Sequence, residues 1–472
     1  MAGMFGTDGV RARVNTGAMT AEAIVRLALA SGRWFIDNNP EGRTGRPLVV
    51  IGKDTRVSGY MVEAALVAGF TSIGMDCRLL GPMPTPGVAY LTMSLRAHLG
   101  VMISASHNPF EDNGIKLFGP DGFKLADDIE DGISRLAAGS IELSDPAALG
   151  RAARMLDSVG RYVEFAKSTL PSDVRFDGLK IVVDCANGAA YRTAPDTLRD
   201  LGAEVIAVAN DPDGFNINEG CGAVHPQALS ERVRQEGADV GIALDGDADR
   251  LILVDEGGAV INGDQVLACL ARAMKEAGTL TGGGIVGTVM TNGGIEPFLA
   301  DLGLELHRTR VGDRYVLETM MKQGINLGGE SSGHVLMTSL STSGDGLIAA
   351  LQMLRLLSAD ERPASELFHA FTPKHQKLEN MRGIDRTVLA LPAVESELAR
   401  MAADLEGRGR ILVRPSGTES LMRVMVEADE EEVLDAAMAE IILLIQNESK
   451  NVKQKQYPEI KQNFSPRSRI GG

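Results

Sequence analysis

The sequence predicts an α/β protein with three similar mixed or parallel-sheet domains, followed by a smaller C-terminal α+β domain. The chain has 472 residues, of which 44% are hydrophobic, and this is enough for several cores of ordinary size. Short apolar runs alternate with segments of helical periodicity up to about residue 360, which is typical of parallel sheets covered by helices. Beyond residue 382 the order becomes helix, strand, strand, helix, which indicates an α+β unit.

Helices and strands alternate through the first three domains. The segment 21–35 has helical spacing and Thr20 can cap its first turn, and the apolar run that ends at Gly52 predicts a strand. A second cycle of helix and strand begins near Arg151 and closes before Asp264, where a third cycle begins. No fixed period relates the three cycles, so the sequence does not establish them as repeats.

Changes in composition place the domain boundaries. Residues 361–382 combine two prolines with two histidines and mixed charge, which predicts a linker. From Ser449 onward, six Lys or Arg residues stand against one Glu and few residues are apolar, which predicts disorder. The predicted domains are 1–152, 153–258 and 259–371 as α/β domains, 372–448 as the α+β domain, and 449–472 as a disordered basic tail.

Composition also excludes several classes of protein. The net charge of −16 disfavours nucleic acid as a partner, because neutralising nucleic-acid phosphates requires a basic face. No apolar stretch approaches the roughly 20 residues of a membrane span, and the N-terminus lacks a secretory pattern. Four scattered cysteines form no CxxC pair, which argues against disulfides and zinc. We therefore expect a cytoplasmic protein with reduced cysteines and no membrane partner.

A polar turn follows the apolar run 99–103. It reads Ser-Ala-Ser-His-Asn-Pro at 104–109 and places the hydroxyl of Ser106 beside a histidine and an asparagine. The commonest role of a serine in such a turn is to cap a helix. Lys116 follows ten residues later, with Gly114 allowing close approach, and a cation beside a serine stabilises phosphate charge. This arrangement favours a hydroxyl that carries a phosphoryl group.

Three carboxylates alternate at Asp245, Asp247 and Asp249, between two strand-like runs. The loop does not fit an EF-hand, because Arg250 stands where the sharp-turn glycine belongs and both flanks are strand-like. Two chemical interpretations stay open. One is an aspartyl nucleophile at Asp245, as in phosphotransferases and phosphatases, and the other is a Mg²⁺ cage completed by a phosphate oxygen. The third carboxylate favours the cage over a plain solvated turn.

Two further loops have the composition of sugar and phosphate sites. Residues 328–334 place Glu330, Ser332 and His334 between glycines, where carboxylate and hydroxyl groups suit sugar hydroxyls and the imidazole is an acid or base candidate. Residues 414–419, Arg-Pro-Ser-Gly-Thr-Glu, combine a guanidinium with hydroxyls and free N–H groups in a turn of phosphate size. A polar turn between strands is the alternative for the second loop.

An acidic protein that binds phosphate has to concentrate its positive charge locally. Eight basic residues lie near Gly, Ser or Pro in turn-like segments rather than on amphipathic helices. They are Arg11, Lys53, Arg56, Lys116, Arg250, Arg314, Arg414 and Arg423. Two nucleotide-binding motifs fail: the GxGxxG at 282–287 precedes a strand instead of following one, and the chain has no P-loop.

Taken in order, the motifs FGTDGVRA, SASHNP, DGDADR, GGESSGH and RPSGTES resemble those of the α-D-phosphohexomutase superfamily. The resemblance covers residues 3–447, and the segments PDGFNIN, CGAVHP and TSGDGLIAALQ are similar to those of its amino-sugar branch. It implies four domains around a central cleft, each of which contributes one loop. It also implies a reaction, the interconversion of glucosamine 6-phosphate and glucosamine 1-phosphate through a phosphoserine enzyme and a 1,6-bisphosphate. Mannose and glucose phosphates are the alternative substrates.

The resemblance also implies roles for single residues. One Mg²⁺ per chain would be held by phosphorylated Ser106, Asp245, Asp247 and Asp249. The sugar hydroxyls would contact Glu330 and Ser332. The phosphate that is not reacting would be held by Arg414, Ser416, Gly417, Thr418 and Arg423. Charge stabilisation or proton transfer would fall to Arg11, Lys116, Arg250 and His334.

The implied partners are small molecules: a hexosamine phosphate as substrate and glucosamine 1,6-bisphosphate as activator, in a route to cell-wall precursors. A homodimer is a candidate assembly. Ser331 departs from the pattern, since relatives often carry Gln or Asn at this position. Two other classes of function predict different outcomes: a phosphatase that uses Asp245 would release phosphate, and a sugar-phosphate binding protein would bind without isomerisation.

Overall fold

The computed structural model of the chain describes residues 5–6, 9–39, 42, 45–415 and 421–456. These residues group into two compact units. The second unit takes in Asn292–Gly294 and the residues from Thr372 onward, and the first takes in the rest. The described residues form three β-sheets in the first unit and one in the second.

Three mixed sheets organise the first unit. The strands of the first sheet are β1 (Val10–Arg13), β2 (Leu48–Lys53), β3 (Asp76–Pro82), β4 (Leu99–Ile103), β5 (Asp112–Phe118) and β6 (Ala152–Arg154). Those of the second are β7 (Lys180–Asp184), β8 (Glu204–Val208), β9 (Val240–Leu244), β10 (Leu251–Asp255) and β11 (Val260–Ile261). Those of the third are β12 (Gly284–Thr288), β13 (Glu305–Thr309), β14 (Leu327–Gly329) and β15 (Val335–Met337).

Helices alternate with these strands along the chain. The helices of the first unit are α1 (Ala21–Asn38), α2 (Gly59–Ser72), α3 (Thr85–Ser94), α4 (Asp127–Ala138), α5 (Ser158–Ser168), α6 (Thr193–Asp200), α7 (Gln227–Glu236), α8 (Gly263–Glu276), α9 (Ile295–Asp301), α10 (Asp313–Gln323), α11 (Gly346–Ser358) and α12 (Ala364–Leu367). Thr20 caps α1 as predicted, since its hydroxyl accepts a hydrogen bond from the N–H of Ala23 at 3.3 Å. The alternation confirms the predicted α/β class.

The three sheets share one strand order. In each, a central strand (β2, β7 or β12) pairs in parallel with the next two strands of the chain, one on either side. The third strand then pairs antiparallel with a fourth, which gives the orders β3-β2-β4-β5, β8-β7-β9-β10 and β13-β12-β14-β15. The prediction of three similar α/β domains is therefore confirmed, and the similarity is one of topology.

The shared topology puts three sequence motifs in equivalent places. Each motif forms the loop that joins the third strand to its antiparallel partner: 104–111 in the first sheet, 245–250 in the second and 330–334 in the third. In open α/β sheets, ligands bind at the carboxyl ends of the strands where the strand order reverses. These loops start at that end of the sheet, which makes them the natural place for a site.

The described part of the second unit is a three-stranded antiparallel sheet with two α-helices. Its elements are β16 (His375–Arg382), α13 (Pro392–Asp404), β17 (Gly409–Pro415), β18 (Leu421–Ala428) and α14 (Glu431–Gln456), with strand order β16-β18-β17. The linker predicted at 361–382 is wrong for its second half, because β16 pairs with β18 over its whole length. Most residues of this edge strand are exposed, so its sequence lacks the apolar alternation that predicts a strand.

The disordered tail predicted from residue 449 is also wrong at its start. Helix α14 continues to Gln456, and Ser449 is buried within it. Extending an existing helix adds one hydrogen bond per residue, so the polar segment after the packed part of α14 needs no core of its own to stay helical. The remainder of the predicted tail, residues 457–472, lies outside the described residues.

One apolar core runs through all three sheets of the first unit. It includes Val50 of the first sheet, Ile181 of the second, Ile285 of the third and Leu351 of α11. Helix α11 is buried on nearly every side and contacts α5, α8, β9 and β10. A helix that is apolar all round is typical of a core position. The continuous core holds the three sheets together as one unit.

None of the helices in the described part of the chain combines the length and apolarity that a membrane crossing requires. The four cysteines are free and buried. Burial raises the pKa of the Cys77 and Cys269 thiols to about 12, which makes them unreactive at neutral pH.

A buried polar pair joins α5 to α11. The hydroxyl of Tyr162 lies 3.0 and 2.9 Å from the two carboxyl oxygens of Asp345, and Asp345 caps α11 by accepting from the N–H of Ile348 at 2.9 Å. Burial raises the pKa of Asp345 to about 7, against which the two hydrogen bonds act only in part. Around neutral pH the carboxyl is therefore poised between its two forms.

We expect Asp345 to make the first unit less stable as the pH rises from about 4 to about 7. In this window the folded chain keeps a proton that the unfolded chain, with an ordinary Asp pKa near 4, has lost, so folding becomes less favourable. Asp345→Asn keeps the cap and the contact to Tyr162 but does not titrate. Its free energy of unfolding relative to the native chain should rise across the window by at most about 4 kcal/mol.

The measurement is thermal unfolding at several pH values, with Asp131→Asn, at an exposed position of α4, as the control. A stability difference between Asp345→Asn and the native chain that stays constant with pH would contradict the assignment.

Candidate active site

The hydroxyl of Ser106 lies at the centre of a buried polar cluster. Ser106 is 2% exposed, and its Oγ donates a hydrogen bond to Asp245 Oδ2 at 2.6 Å, although the two residues are 139 positions apart in the chain. The backbone of Ser106 is left-handed, with φ of +52°. The alternative role as a helix cap is wrong, because the chain turns from the loop directly into β5.

The backbone on either side of Ser106 is held by side chains. The N–H of Ser106 donates to Ser104 Oγ at 2.9 Å, and Ser104 Oγ donates to Asp54 Oδ2 at 2.7 Å. The carbonyl of Ser106 accepts from Arg56 and from Asn218, both at 2.9 Å. The left-handed conformation, which is uncommon for serine, is therefore supported by hydrogen bonds on both sides of the residue.

The three aspartates converge as their spacing predicts. Asp245, Asp247 and Asp249 are all buried, and each offers a carboxylate oxygen within 4.8 Å of the others. The ammonium of Lys116 lies 2.8 Å from Asp247 Oδ2 and 3.0 Å from Asp249 Oδ2. Asp247 also accepts from the hydroxyl of Thr85 at 2.5 Å. Neither flank of this loop is helical, in agreement with the exclusion of an EF-hand.

This donor set fits a hard divalent cation. Three buried carboxylates are oxygen ligands of the type that Mg²⁺ prefers, and Asp247 Oδ1 accepts no hydrogen bond from any described residue. Burying three like charges together is unfavourable unless a positive charge compensates them. Lys116 supplies part of that positive charge, and a bound cation would add to it.

The pKa values of Asp245 and Asp249 are shifted in opposite directions. Burial and the neighbouring Asp249 and Asp247 raise the pKa of Asp245 to about 8. Burial acts the same way on Asp249, but Lys116 and His334 outweigh it and hold the pKa of Asp249 well below its usual range. The negative charge of Asp245 is thus less compensated than that of Asp249.

Two arginines lie near His107, the residue whose ring contacts the Ser106 hydroxyl. His107 Nδ1 lies 3.3 Å from Ser106 Oγ, and burial together with Arg250 and Arg11 lowers the pKa of His107 to about 4, so this imidazole is neutral at pH 7. Arg11 lies on β1, and the N–H of Arg250 donates to Asp245 Oδ1 at 3.2 Å. The two arginines therefore add positive charge near His107, beside the Ser106 loop, and such charge suits a phosphate.

The third-sheet loop packs directly on the aspartate loop. The N–H of Leu251, next to Arg250, donates to the carbonyl of Gly333 at 2.9 Å. Gly333 has φ of +92°, and a Cβ there would lie 2.1 Å from the carbonyl oxygen of Leu251, so only glycine fits. Glu330 accepts from the N–H of Gly312 at 2.8 Å and from the hydroxyl of Ser332 at 3.3 Å.

His334 lies between two carboxylates. Its Nδ1 is 3.6 Å from Asp249 Oδ1 and its Nε2 is 3.6 Å from Asp313 Oδ2. Burial favours the neutral imidazole, but Asp249 outweighs it and raises the pKa of His334. The structure thus brings together Ser106, Lys116, Arg250, His334 and the three aspartates, and it places Arg11 and Glu330 beside them.

Three of the eight basic residues predicted for phosphate are paired with carboxylates of the protein itself. Lys53 forms a buried ion pair with Glu63 at 2.7 Å. Arg314 lies in α10, where it pairs with Glu130 and donates to the carbonyl of Leu125. Arg56 is fully buried beside Asp54. These pairs are structural. The sequence could not show them, because packing selects the partner in each pair.

The predicted location of the basic residues in turns is also wrong for several of them. Strands contain Arg11, Lys116, Arg414 and Arg423, and a helix contains Arg314. Gly114 does permit close approach within β5, because a Cβ there would lie 2.6 Å from the carbonyl oxygen of Ser104. Nearby glycines therefore reflect tight strand packing in these cases.

The second unit contains the two remaining arginines. Arg414 on β17 stands directly opposite Arg423 on β18 in the antiparallel register. Burial and the charge of Arg423 lower the pKa of Arg414. Like charges in directly opposed positions of a sheet are destabilising. Ser416, Gly417 and Thr418, which are predicted to bind phosphate, lie outside the described residues.

Sequence reasoning did not assign a site role to Thr85, His107 or Asn218. Each contacts a residue of the cluster: Thr85 contacts Asp247, His107 lies beside Ser106 Oγ, and Asn218 donates to the Ser106 carbonyl. His107 stands inside the SASHNP motif and Asn218 inside PDGFNIN, so position within a motif was the available signal. Thr85 carried no signal of its own.

Four family models match the chain in order. They describe phosphoglucomutase/phosphomannomutase alpha/beta/alpha domain I over residues 2–142, domain II over 160–258, domain III over 262–375, and the C-terminal domain over 376–444.

Solved structures of such enzymes share the fold. A family member from Burkholderia thailandensis superposes with a TM-score of 0.77 at 23% identity, covering 96% of this chain and 98% of that one. An N-acetylphosphoglucosamine mutase from Aspergillus fumigatus, solved with GlcNAc-6P and magnesium, gives 0.65 at 18% identity over 94% and 96%.

Sequence relatives are much closer. The phosphoglucosamine mutase of Phenylobacterium zucineum is 55% identical over 93% of this chain and 97% of its own length. That of Paracoccus denitrificans is 55% identical over 94% and 98%. With four matching domains and relatives of this identity over nearly its whole length, the chain belongs to the phosphoglucosamine mutases, isomerases of the phosphoglucomutase/phosphomannomutase family.

Proposed function

We propose that this chain interconverts glucosamine 6-phosphate and glucosamine 1-phosphate, with Ser106 carrying the phosphoryl group and glucosamine 1,6-bisphosphate as the intermediate. The observation that carries the proposal is the 2.6 Å contact between Ser106 Oγ and Asp245 inside a buried carboxylate cluster. A hydroxyl that carries phosphate next to a cation site is the arrangement that phosphoryl transfer requires. The family of the chain and its amino-sugar relatives support this substrate over glucose or mannose phosphates.

Asp245, Asp247 and Asp249 would hold the Mg²⁺, together with an oxygen of the phosphate on Ser106. Bound there, the ion would neutralise charge on the phosphoryl group and make its phosphorus more susceptible to attack. Arg250 and Arg11, which lie near His107 beside the Ser106 loop, would share that work.

Transfer requires two exchanges at the same hydroxyl. In the first, O1 of glucosamine 6-phosphate attacks the phosphoserine phosphorus, the bond from phosphorus to Ser106 Oγ breaks, and the proton lost by the O1 hydroxyl is passed to Ser106 Oγ. In the second, Ser106 Oγ takes the phosphoryl group from O6, and the proton lost by Ser106 Oγ is passed to O6. Lys116 Nζ and His334 are the groups of the cluster that can hold or move these protons. The depth of Ser106, at 2% exposure, would limit hydrolysis by water.

Glu330 and Ser332 would bind the sugar hydroxyls, since the carboxylate of Glu330 already accepts from Ser332 and is available to donors of a sugar. In the second unit, Arg414 and Arg423 would bind the phosphate that is not reacting. Their direct opposition on neighbouring strands places two positive charges side by side, an arrangement that suits a phosphate.

A phosphatase that uses Asp245 as nucleophile is the less supported function. Asp245 Oδ2 accepts the hydrogen bond from Ser106, and Asp245 is fully buried with a raised pKa, both of which reduce its nucleophilicity. The serine, by contrast, presents its hydroxyl in a cluster that contains Lys116 and His334, the groups that can hold or move its proton.

We expect Ser106→Ala to lose mutase turnover by at least about 1,000-fold, because the residue that carries the phosphoryl group is removed. The measurement combines turnover of glucosamine 6-phosphate with intact mass before and after incubation with glucosamine 1,6-bisphosphate. Native protein should gain one phosphoryl group on the peptide that contains Ser106, and the variant should gain none. Ser168→Ala, at an exposed position of α5, is the control. Robust turnover by Ser106→Ala would exclude the proposed mechanism.

We expect the aspartate cluster to bind one Mg²⁺ per chain. Asp247→Asn removes a ligand charge and should weaken Mg²⁺ binding by at least about tenfold in calorimetric titration of the chelator-treated protein. Asp131→Asn should bind as the native chain does. Chelation should abolish turnover and added Mg²⁺ should restore it. Native affinity in Asp247→Asn would place the metal elsewhere.

We expect Glu330→Gln to raise the KM for glucosamine 6-phosphate by about tenfold, since a charged hydrogen-bond acceptor for the sugar becomes neutral. Glu276→Gln, at an exposed position of α8, should leave KM unchanged. Steady-state kinetics with glucosamine, glucose and mannose phosphates would measure both the effect and the substrate preference. Equal kcat/KM for the three sugars in the native enzyme would favour the broader phosphoglucomutase/phosphomannomutase activity.

A further inference from the structure

The guanidinium group of Arg56 donates hydrogen bonds to Asp54 and to the backbone in and after the loop that contains Ser106. Its Nε donates to Asp54 Oδ2 at 2.8 Å. The terminal nitrogens donate to four backbone carbonyls, those of Ser106, Asn108, Pro109 and Asp112. All five N–H donors of the side chain are therefore satisfied, and Arg56 is 1% exposed. It has no donor left for a ligand.

Asn218 reaches two of the same carbonyls from the second sheet's domain. Its Nδ2 donates to the carbonyls of Ser106 at 2.9 Å and Asn108 at 3.1 Å. Its own N–H donates to the carbonyl of Ala186 at 2.9 Å, and its backbone is left-handed with φ of +58°. A left-handed backbone is well tolerated by asparagine, so the residue type suits both its conformation and its contacts.

The segment that contains Asn218 also contacts the segment that contains Arg56 and the loop that contains Ser106. The N–H of Val57 donates to the carbonyl of Gly214 at 2.9 Å. The rings of Phe110 and Phe215 meet edge to face with centroids 5.3 Å apart. Two loops from different domains thus close around the Ser106 loop, and both supply donors to its carbonyls.

The direction of Ser106 Oγ depends on this backbone. Ser106 is a left-handed serine, and the carbonyls that follow it turn inward toward donors rather than outward to water. Loss of the donors would leave buried carbonyls unsatisfied and allow the loop to turn. A shift of about 1 Å in a reacting atom can cost about 100-fold in rate.

We propose that Arg56 and Asn218 are positioning residues for the Ser106 hydroxyl, acting through the backbone carbonyls of Ser106 and Asn108. The inference rests on the proposed function, in which Ser106 carries the phosphoryl group. It assigns to the DTR segment at 54–56 and to PDGFNIN at 212–218 a role in transfer rather than in substrate binding.

Arg56→Lys tests the first side chain, because lysine keeps the positive charge but lacks the planar set of donors. Asn218→Gly tests the second, because glycine accepts the left-handed backbone and removes the amide. Arg26→Lys is the matched control, since Arg26 donates to the carbonyls of Ala137 and Gly139 away from the cluster. Each protein is assayed for kcat, for KM and for its rate of phosphoryl uptake from glucosamine 1,6-bisphosphate.

We expect kcat and the rate of uptake to fall by about 10- to 100-fold in both variants, while KM changes by less than about threefold. The double variant should lose less than the product of the single losses, because both side chains hold the same two carbonyls. Arg26→Lys should keep kcat within about twofold, because its carbonyl contacts lie away from the cluster.

Native kcat in the folded variants, or a loss expressed in KM alone, would overturn the inference. If Arg56→Lys does not fold, Asn218→Gly decides alone, because it leaves the pair of Asp54 and Arg56 intact. Ser106→Ala distinguishes failure of this inference from failure of the proposed function. An inactive Ser106→Ala with fully active positioning variants refutes only this inference, whereas an active Ser106→Ala refutes the proposed function.

Discussion

The hydrogen bond between Ser106 Oγ and Asp245 Oδ2 is the contact on which the rest of the candidate site depends. It joins loops of two different sheets in a place where both groups are buried. A buried carboxylate beside two others is unfavourable unless positive charge and hydrogen bonds compensate it, and Lys116 and Ser106 supply part of that compensation. Only a rigid frame can hold such a cluster together, and the apolar core shared by the three sheets provides one.

The frame works because it repeats one topology. Each sheet ends its parallel part with a strand that turns back into an antiparallel partner, and each of these turns contains polar or charged residues of the site. Three loops of equivalent origin therefore supply three different chemical parts: a hydroxyl, a carboxylate set, and a carboxylate with an imidazole. Glycines make the close packing of these loops possible, as at Gly246, where a Cβ would lie 2.5 Å from the carbonyl oxygen of Ser106.

The basic residues show where reasoning from sequence reaches its limit. All eight were reasonable candidates for phosphate, yet Lys53, Arg56 and Arg314 form buried or half-buried structural pairs. The identity of a charged residue is a local property, whereas its partner is selected by packing. The same holds for the edge strand β16 and for the last turns of α14, whose polar residues are held in place by pairing and by helix propagation.

The sequence by itself determined the α/β class, the capping of α1 by Thr20, and the identity of the serine, the three aspartates and the glycine-bracketed loop as chemically suited residues. These follow from periodicity, spacing and residue type, which are local properties of a chain. Only the tertiary structure decided that Ser106 contacts Asp245, 139 residues away in the chain. The same is true of the ion pairs of Lys116 with Asp247 and Asp249. It is also true of the hydrogen bonds that Arg56 and Asn218 donate to the same carbonyls. The reason is physical: such contacts depend on which loops the common core brings to one place, and no local pattern contains that information.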